Sequence, residues 1–362
     1  MIRMADRQLL IITFILLVGG LLILASASMV VSQKNFGTIG YYTLRQFLYG
    51  GIGGLIALFI FSKIPYRVWR QSALPLMLLS FILLVFLFIP ELSYMAGGAR
   101  RWLKIGSFSF QPSEILKLSF IFYLASWLDT RRREVSSISY GMIPFALMLA
   151  IVGIFLVMQP DMGTLLVVTT TAGLLYFLGG GKISQIATLS FLGLTVGYFL
   201  IQLAPYRLAR ILVFLNPGFD PQGAGYQITQ AFIAIGSGGF FGTGFGKSLQ
   251  KYNYLPEPMG DSIFAIFAEE FGFLGISLLI SIFGFLLWRG FYIASMSPDI
   301  FGRFLAAGIS IGIAVQSFIN IAAISGLLPL TGITLPFISY GGTSLVTTLA
   351  SIGILLNISK HI

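Results

Sequence analysis

Runs of about 20 apolar residues recur along almost the whole chain, and a helix of that length is what the hydrocarbon core of a bilayer requires. Ten such runs fall at roughly 8–31, 46–62, 72–90, 113–128, 140–158, 162–179, 183–204, 262–288, 302–325 and 334–357. Only 9% of the 362 residues are charged, against ~25% in soluble domains, so a water-soluble fold could not be covered with polar surface. The expectation is an all-α polytopic membrane protein, a single integral membrane domain over residues 1–362. It has about ten transmembrane helices and a long extracytoplasmic loop between helices 7 and 8. Soluble enzymes, disordered proteins, nucleic-acid binders and disulfide scaffolds are excluded. The chain has no Cys, and its single His, His361, cannot build a His-based metal site or triad.

The first run starts with Arg3 and Arg7 and ends in Ala25-Ser26-Ala27-Ser28, which imitates a signal-peptidase site. Its apolar core is longer than that of a signal peptide, so it reads as an uncleaved first helix. Placing the N-terminus in the cytoplasm puts Lys63, Arg67, Arg70, Arg131-Arg132-Arg133, Lys182, Arg289, Arg303 and Lys360 in short inner loops, as the positive-inside rule asks. Much of the net charge of +10 is thereby accounted for without a polyanionic partner. Both termini are then cytoplasmic. The outer face keeps an unusual number of cations, concentrated in the two outer segments too long to be mere connections, about 91–112 and 205–261. Function is expected there. Within the second, residues 226–235 carry Ile228, Ala231, Phe232 and Ile235 at a spacing that suits a helix on or in the outer interface.

The glycine-rich stretch 236–248 ends in Gly246-Lys247-Ser248, but Phe241 stands where a phosphate loop needs its first glycine, and no strand precedes it. It reads as a tight loop that something large approaches closely. Gly50 and Gly54, and Gly308 and Gly312, are spaced for close helix packing.

Ionisable residues in or beside spans carry more weight, because a charge near the bilayer centre is costly. Glu114 and Lys117 share a helix face, either as a structural ion pair or as a substrate-contacting one. Glu269 and Glu270 point about 100° apart, so at most one lines a given cavity. Asp161, after Pro160, is explained by helix capping alone. Asp261 closes the long outer loop and opens the eighth span; it is either an N-cap or a catalytic carboxylate. Arg100, Arg101 and Lys104 around Trp102, with Arg207 and Arg210, form outer cationic clusters. These read either as headgroup anchors or as a receptor for a lipid-linked diphosphate.

Six blocks carry a resemblance: 99–104 (ARRWLK), 110–117 (FQPSEILK), 159–164 (QPDMGT), 254–257 (YLPE), Phe264-Ala265 with Glu269-Glu270, and 335–344 (LPFISYGGTS). In this order, over nearly the whole chain, they are similar to the SEDS family of bacterial shape, elongation, division and sporulation proteins. The stretches 288–303 and 320–332 resemble the division type, FtsW, more than the elongation type, RodA. Where members often carry His-Thr-Asp before the eighth span, this chain has Met259-Gly260-Asp261, which puts flanking contacts in doubt rather than the acid.

The resemblance implies a peptidoglycan glycosyltransferase of the bacterial cytoplasmic membrane that polymerises lipid II on the outer face during cell division. It would work beside a class B penicillin-binding protein and other divisome proteins. Transfer inverts the α-linked sugar diphosphate to a β linkage. Asp261 would be the general base, and Arg100, Arg101, Lys104 and Arg210 the diphosphate holders. Glu114, Lys117 and Asp161 are second-tier contacts. Trp102, Gln111, Ser113, Gln159, Glu257, Ser339 and Tyr340, inside the matched blocks or beside them, are the remaining candidate substrate contacts. A divalent cation, Mg or Mn, could assist. Competing classes are a flippase for the lipid-linked precursor and a non-catalytic divisome scaffold. A flippase would favour a midplane site and inverted repeats, and the sequence shows neither.

Overall fold

The computed structural model describes residues 5–362 apart from 97, 98, 107 and 224; Arg3 lies outside the described residues. A helix answers each apolar run: α1 (Arg7–Phe36), α2 (Tyr41–Lys63), α3 (Val68–Phe86), α4 (Pro112–Arg131), α5 (Ile138–Met158), α6 (Met162–Leu178), α7 (Ile183–Gln202), α10 (Ile263–Met296), α11 (Ile300–Ile324) and α12 (Gly342–Ser359). Eight of these are long and apolar enough to cross a membrane. The other two are α6, which is shorter, and α4, which carries Glu114, Lys117 and Asp129. The long segment 205–261 adds two shorter helices, α8 (Pro205–Leu215) and α9 (Tyr226–Gly238). The protein is a multi-pass membrane protein, because in lipid every backbone polar group must be paired within the chain and helices do that locally.

The bundle is drawn together by small residues. A Cβ on Gly54 would stand 2.4 Å from Leu349 of α12, and one on Gly353 would stand 2.5 Å from the carbonyl of Leu58, so α2 and α12 touch through their backbones. Gly308 lets α11 close against Ile121 and Leu175 in the same way. The first and last described residues lie at one end of the bundle. There Asp6 caps α1 by accepting from the Leu9 amide and pairs with Arg289 at 2.6 Å, and its own amide donates to Ser359. The start of α10 and the turn before it lie at the other end.

Two findings at that second end depart from the sequence reading. Residues 91–112 hold a three-stranded antiparallel sheet, β1 (Ser93–Ala96), β2 (Ala99–Ile105) and β3 (Phe108–Phe110), with Tyr94 opposite Trp102 and Lys104 opposite Ser109. The run expected as a helix from 334 is not helical until Gly342. Residues 334–341 form an irregular turn in which Phe337 has φ 68°. A π turn in α2, Gln46–Ile52, holds Gln46 under this turn; its amide donates to the Ser339 carbonyl and its oxygen accepts from the Gly341 amide.

The glycine-rich loop is the tight structure expected, and the large object it meets is α10 itself. α10 breaks at Gly272, where φ is 62°. Loop and helix then exchange backbone hydrogen bonds, Thr243 and Gly244 donating to Glu269 and Glu270, and Phe273 donating back to Gly239. A Cβ on Gly242 would meet the Glu270 carbonyl at 2.2 Å, so only glycine permits this stitching. The helix α9 packs beside it, burying Ile228, Ala231 and Ala234 and leaving Phe232 exposed, a face turned slightly from the one the spacing suggests.

Candidate active site

Asp261 is not the cap of α10. That position belongs to Ser262, and the Asp261 carboxylate instead turns toward α9, where Gln227 Nε2 donates to its Oδ1 at 3.1 Å and to Ser262 Oγ at 2.9 Å. The other oxygen, Oδ2, faces Gly332, where a Cβ would stand 4.0 Å from it. The backbone around the acid is pinned from below. Asn320 of α11 donates to the Asp261 carbonyl at 2.9 Å and to the Ile333 carbonyl at 2.7 Å; Ser339 Oγ donates to the Gly260 carbonyl and the Tyr340 amide to Met259. The carboxylate is partly accessible, yet surrounded closely enough that burial, with the nearby Glu257 charge adding to it, pushes its pKa up to about 6. The Gln227 hydrogen bond and the Arg210 charge pull the other way. The helix terminus therefore does not leave Asp261 a feeble base, because desolvation outweighs it.

Arg210, on α8, has Asp261 as an attracting charge and Arg101 as a repelling one, and its Nη1 donates to the Leu330 carbonyl at 2.9 Å. One carboxylate and two guanidinium groups thus share the end of the bundle at which α10 begins. The pleat of β2 splits the expected cationic cluster, because successive side chains take opposite faces. Arg101 turns inward with buried Ala99 and Leu103 and donates to the carbonyls of Gln159 and Pro160; Arg100 and Lys104 point out to solvent, with Trp102 half-buried between them. Arg207 turns away, donating to Tyr206 and to the Leu200 carbonyl.

The remaining candidates lie in two further groups. Asp161 caps α6 as its position suggests, accepting from the Thr164 amide and hydroxyl, and also from Ser113 at 3.2 Å and Gln111 at 3.5 Å. Gln159 is buried and donates to the Leu84 carbonyl. These residues knit the N-terminal ends of α4 and α6 under the Arg101 anchor. Glu114 and Lys117 pair at 2.8 Å, with Gln316 accepting from Lys117 and Thr347 donating to Glu114, on the wall of a cavity of about 50 Å³, room for a few waters. None of its lining residues comes from the Asp261 turn. Glu257 is exposed beside Asp261, and Ser339 acts on the turn's backbone.

Glu269 and Glu270 line no open chamber. Glu270 pairs with fully buried Lys251 at 2.9 Å and accepts from Ser26, while Glu269 accepts from Ser248 and the Leu249 amide. The serine of the signal-like motif is thus a buried contact within a continuous α1. Sequence reasoning passed over Gln227, which nothing in its amphipathic helix distinguishes. It also passed over Asn320, which the rule for polar groups within spans could have flagged.

Fold and site together define a polytopic membrane protein that gathers a carboxylate able to act as a base and two guanidinium groups at one end of its bundle. The chain belongs to the FtsW/RodA/SpoVE family: the family model described as "Cell cycle protein" matches residues 7–362. Stage V sporulation protein E of Bacillus subtilis is 43% identical over 98% of this chain and 97% of its own length. The "Probable peptidoglycan glycosyltransferase FtsW" of Geobacter sulfurreducens is 40% identical over 99% and 95%. Among solved structures, a chain from "Structural coordination of polymerization and crosslinking by a peptidoglycan synthase complex" superposes with a TM-score of 0.81 at 28% identity, covering 98% of this chain and 97% of that one. The Thermus thermophilus rod shape determining protein RodA gives 0.72 at 27%, covering 98% and 96%.

Proposed function

We propose that this protein is a peptidoglycan glycosyltransferase that polymerises lipid II at the outer face of the bacterial cytoplasmic membrane. The observation that carries this is the half-buried Asp261, held by Gln227 on one oxygen and opposed by Arg210. The 4-hydroxyl oxygen of the acceptor sugar attacks the donor's anomeric carbon, its proton passes to Asp261 Oδ2, and the bond to the diphosphate breaks. A diphosphate leaves as an anion and needs cations rather than an acid. Arg210 supplies the charge at the site, with Arg100 and Lys104 free on the outer sheet, while Arg101, gripping the 159–160 carbonyls, contributes its field.

Glu257 and Asp261 are a carboxylate pair of the kind that holds Mg²⁺ together with phosphate oxygens, and among the described residues no third acid or His joins them. Glu257 would hold such an Mg²⁺ or Mn²⁺ ion, whose chemistry is to neutralise the departing diphosphate. The inner-loop cations lie at the end that holds both termini, which supports cytoplasmic termini and an outward site. The relatives named FtsW favour a division role, beside a class B penicillin-binding protein and other divisome proteins.

Purified protein in liposomes, given lipid II in the leaflet beside residues 91–112 and 205–261, is expected to produce long glycan chains resolvable by electrophoresis. Leaflet exchange of lipid II without polymer would make the protein a flippase instead.

A further inference from the structure

Resting on the polymerase reading only for the identity of the ligand, we propose that the junction of α1 and α2 is a second site, which holds the polyprenyl tail and sugar diphosphate of the other lipid-linked saccharide. Joining two such substrates requires both to be present at once, and only one of them gives up its diphosphate near Arg210. The other keeps its diphosphate and must lie on the opposite flank of the Asp261 turn, with an apolar path for its tail.

The α1–α2 junction supplies that path and a headgroup platform beside it. A groove of about 390 Å³ is lined by Met29 of α1, Ile39 and Gly40 of the connection, and Thr43, Leu44 and Phe47 of α2. Four aromatic rings form a chain of contacts whose Tyr41 and Tyr42 stand between the lining residues Gly40 and Thr43: Phe36 stacks on Tyr41 with centroids 3.5 Å apart, Tyr41 meets Tyr42 edge-on, and Tyr42 meets Tyr340 at 5.2 Å. Arg45 lies close enough to Tyr340 to act on its hydroxyl, and among the described residues it has no carboxylate partner.

Interfacial anchoring explains scattered rings at a membrane surface. It does not explain a contiguous set whose last member is tied to the reacting turn. The Tyr340 amide donates to the Met259 carbonyl at 2.8 Å, and Ser339 Oγ donates to the Gly260 carbonyl at 2.7 Å, two residues and one residue before Asp261. Aromatic faces suit the apolar faces of sugar rings, a guanidinium that stacks on Tyr49 and meets no carboxylate among the described residues suits a diphosphate, and a lipid-facing groove suits a polyprenyl chain. The three occur together at this junction.

Gly40 provides the test. It lines the groove, its φ of −103° is open to any residue, and a Cβ there meets nothing within 4 Å. Native mass spectrometry of the Asp261→Asn protein with lipid II is expected to count two bound molecules. Adding Gly40→Trp should lower the count to one, while Gly40→Ala, the control for folding, should leave it at two. The proposal is overturned if Asp261→Asn binds only one lipid II, or if Gly40→Trp still binds two, including the case in which it displaces only phosphatidylglycerol, as an ordinary lipid groove would. The count does not depend on turnover, so a failure of the polymerase reading would show separately, as absence of glycan from the wild type.

Discussion

Asp261→Asn is expected to lower the rate of glycan synthesis from purified lipid II by about 10²–10⁴, the span that a positioned general base contributes, while the protein inserts and folds normally. The substitution keeps the shape of the side chain and removes only its capacity to take a proton. Thermal stability should hold or rise, and the sign follows from linkage. In the folded protein the carboxyl is raised from its usual 3.8 to about 6, so its contribution to stability declines as pH rises through that interval, and at pH 7 the fold bears an ionised group it has partly desolvated. Asn carries no such charge. Polymer yield and unfolding temperature, measured on the same preparation, separate this from a structural role, in which both would fall together.

The second large effect is on the fold. Lys251→Met should destabilise the protein by roughly 3–5 kcal/mol, because it strands the Glu270 carboxylate inside the bundle, where its side chain is 1% exposed. Ser26 and the Ser248 amide still donate to it, but they do not neutralise it. Pairing that change with Glu270→Leu removes both charges and should recover most of the loss, since a buried ion pair is often no better than an apolar pair of similar volume. A double-mutant cycle by thermal unfolding in detergent checks this; additive losses would mean that the two side chains do not act as a unit.

Much of this was legible from residues alone because the membrane simplifies the problem. A chain that must satisfy its backbone in lipid declares its spans by hydropathy: a helix lies along each of the ten apolar runs, and eight of these helices are long and apolar enough to cross. The failures have local causes. Residues 334–341 are apolar enough to pass for the start of a helix, but Pro336 and the Gly341-Gly342 pair favour a turn, and that turn braces the acid. The three-stranded sheet escaped because its strands are three to seven residues long and β2 lacks a clean alternation of polar and apolar residues. Clustering in sequence also misled: Arg100, Arg101 and Lys104 are neighbours along the chain, yet the pleat sends Arg101 toward the protein and the other two toward solvent. Asp261 stood out, but the choice between cap and base turned on the direction of its side chain, which Gln227 sets from 34 residues away.

Loss of activity on replacement is common to any indispensable carboxylate, so the most direct test of Asp261 as the proton acceptor is the dependence of kcat/KM on pH. The wild-type rate should fall as pH drops through about 6, where the acid becomes protonated. Gln227→Leu, which deletes a hydrogen bond that favours the ionised form, should move that limb to higher pH. A wild-type rate that is flat between pH 5 and 8, or a limb that stays in place in Gln227→Leu, would contradict the assignment.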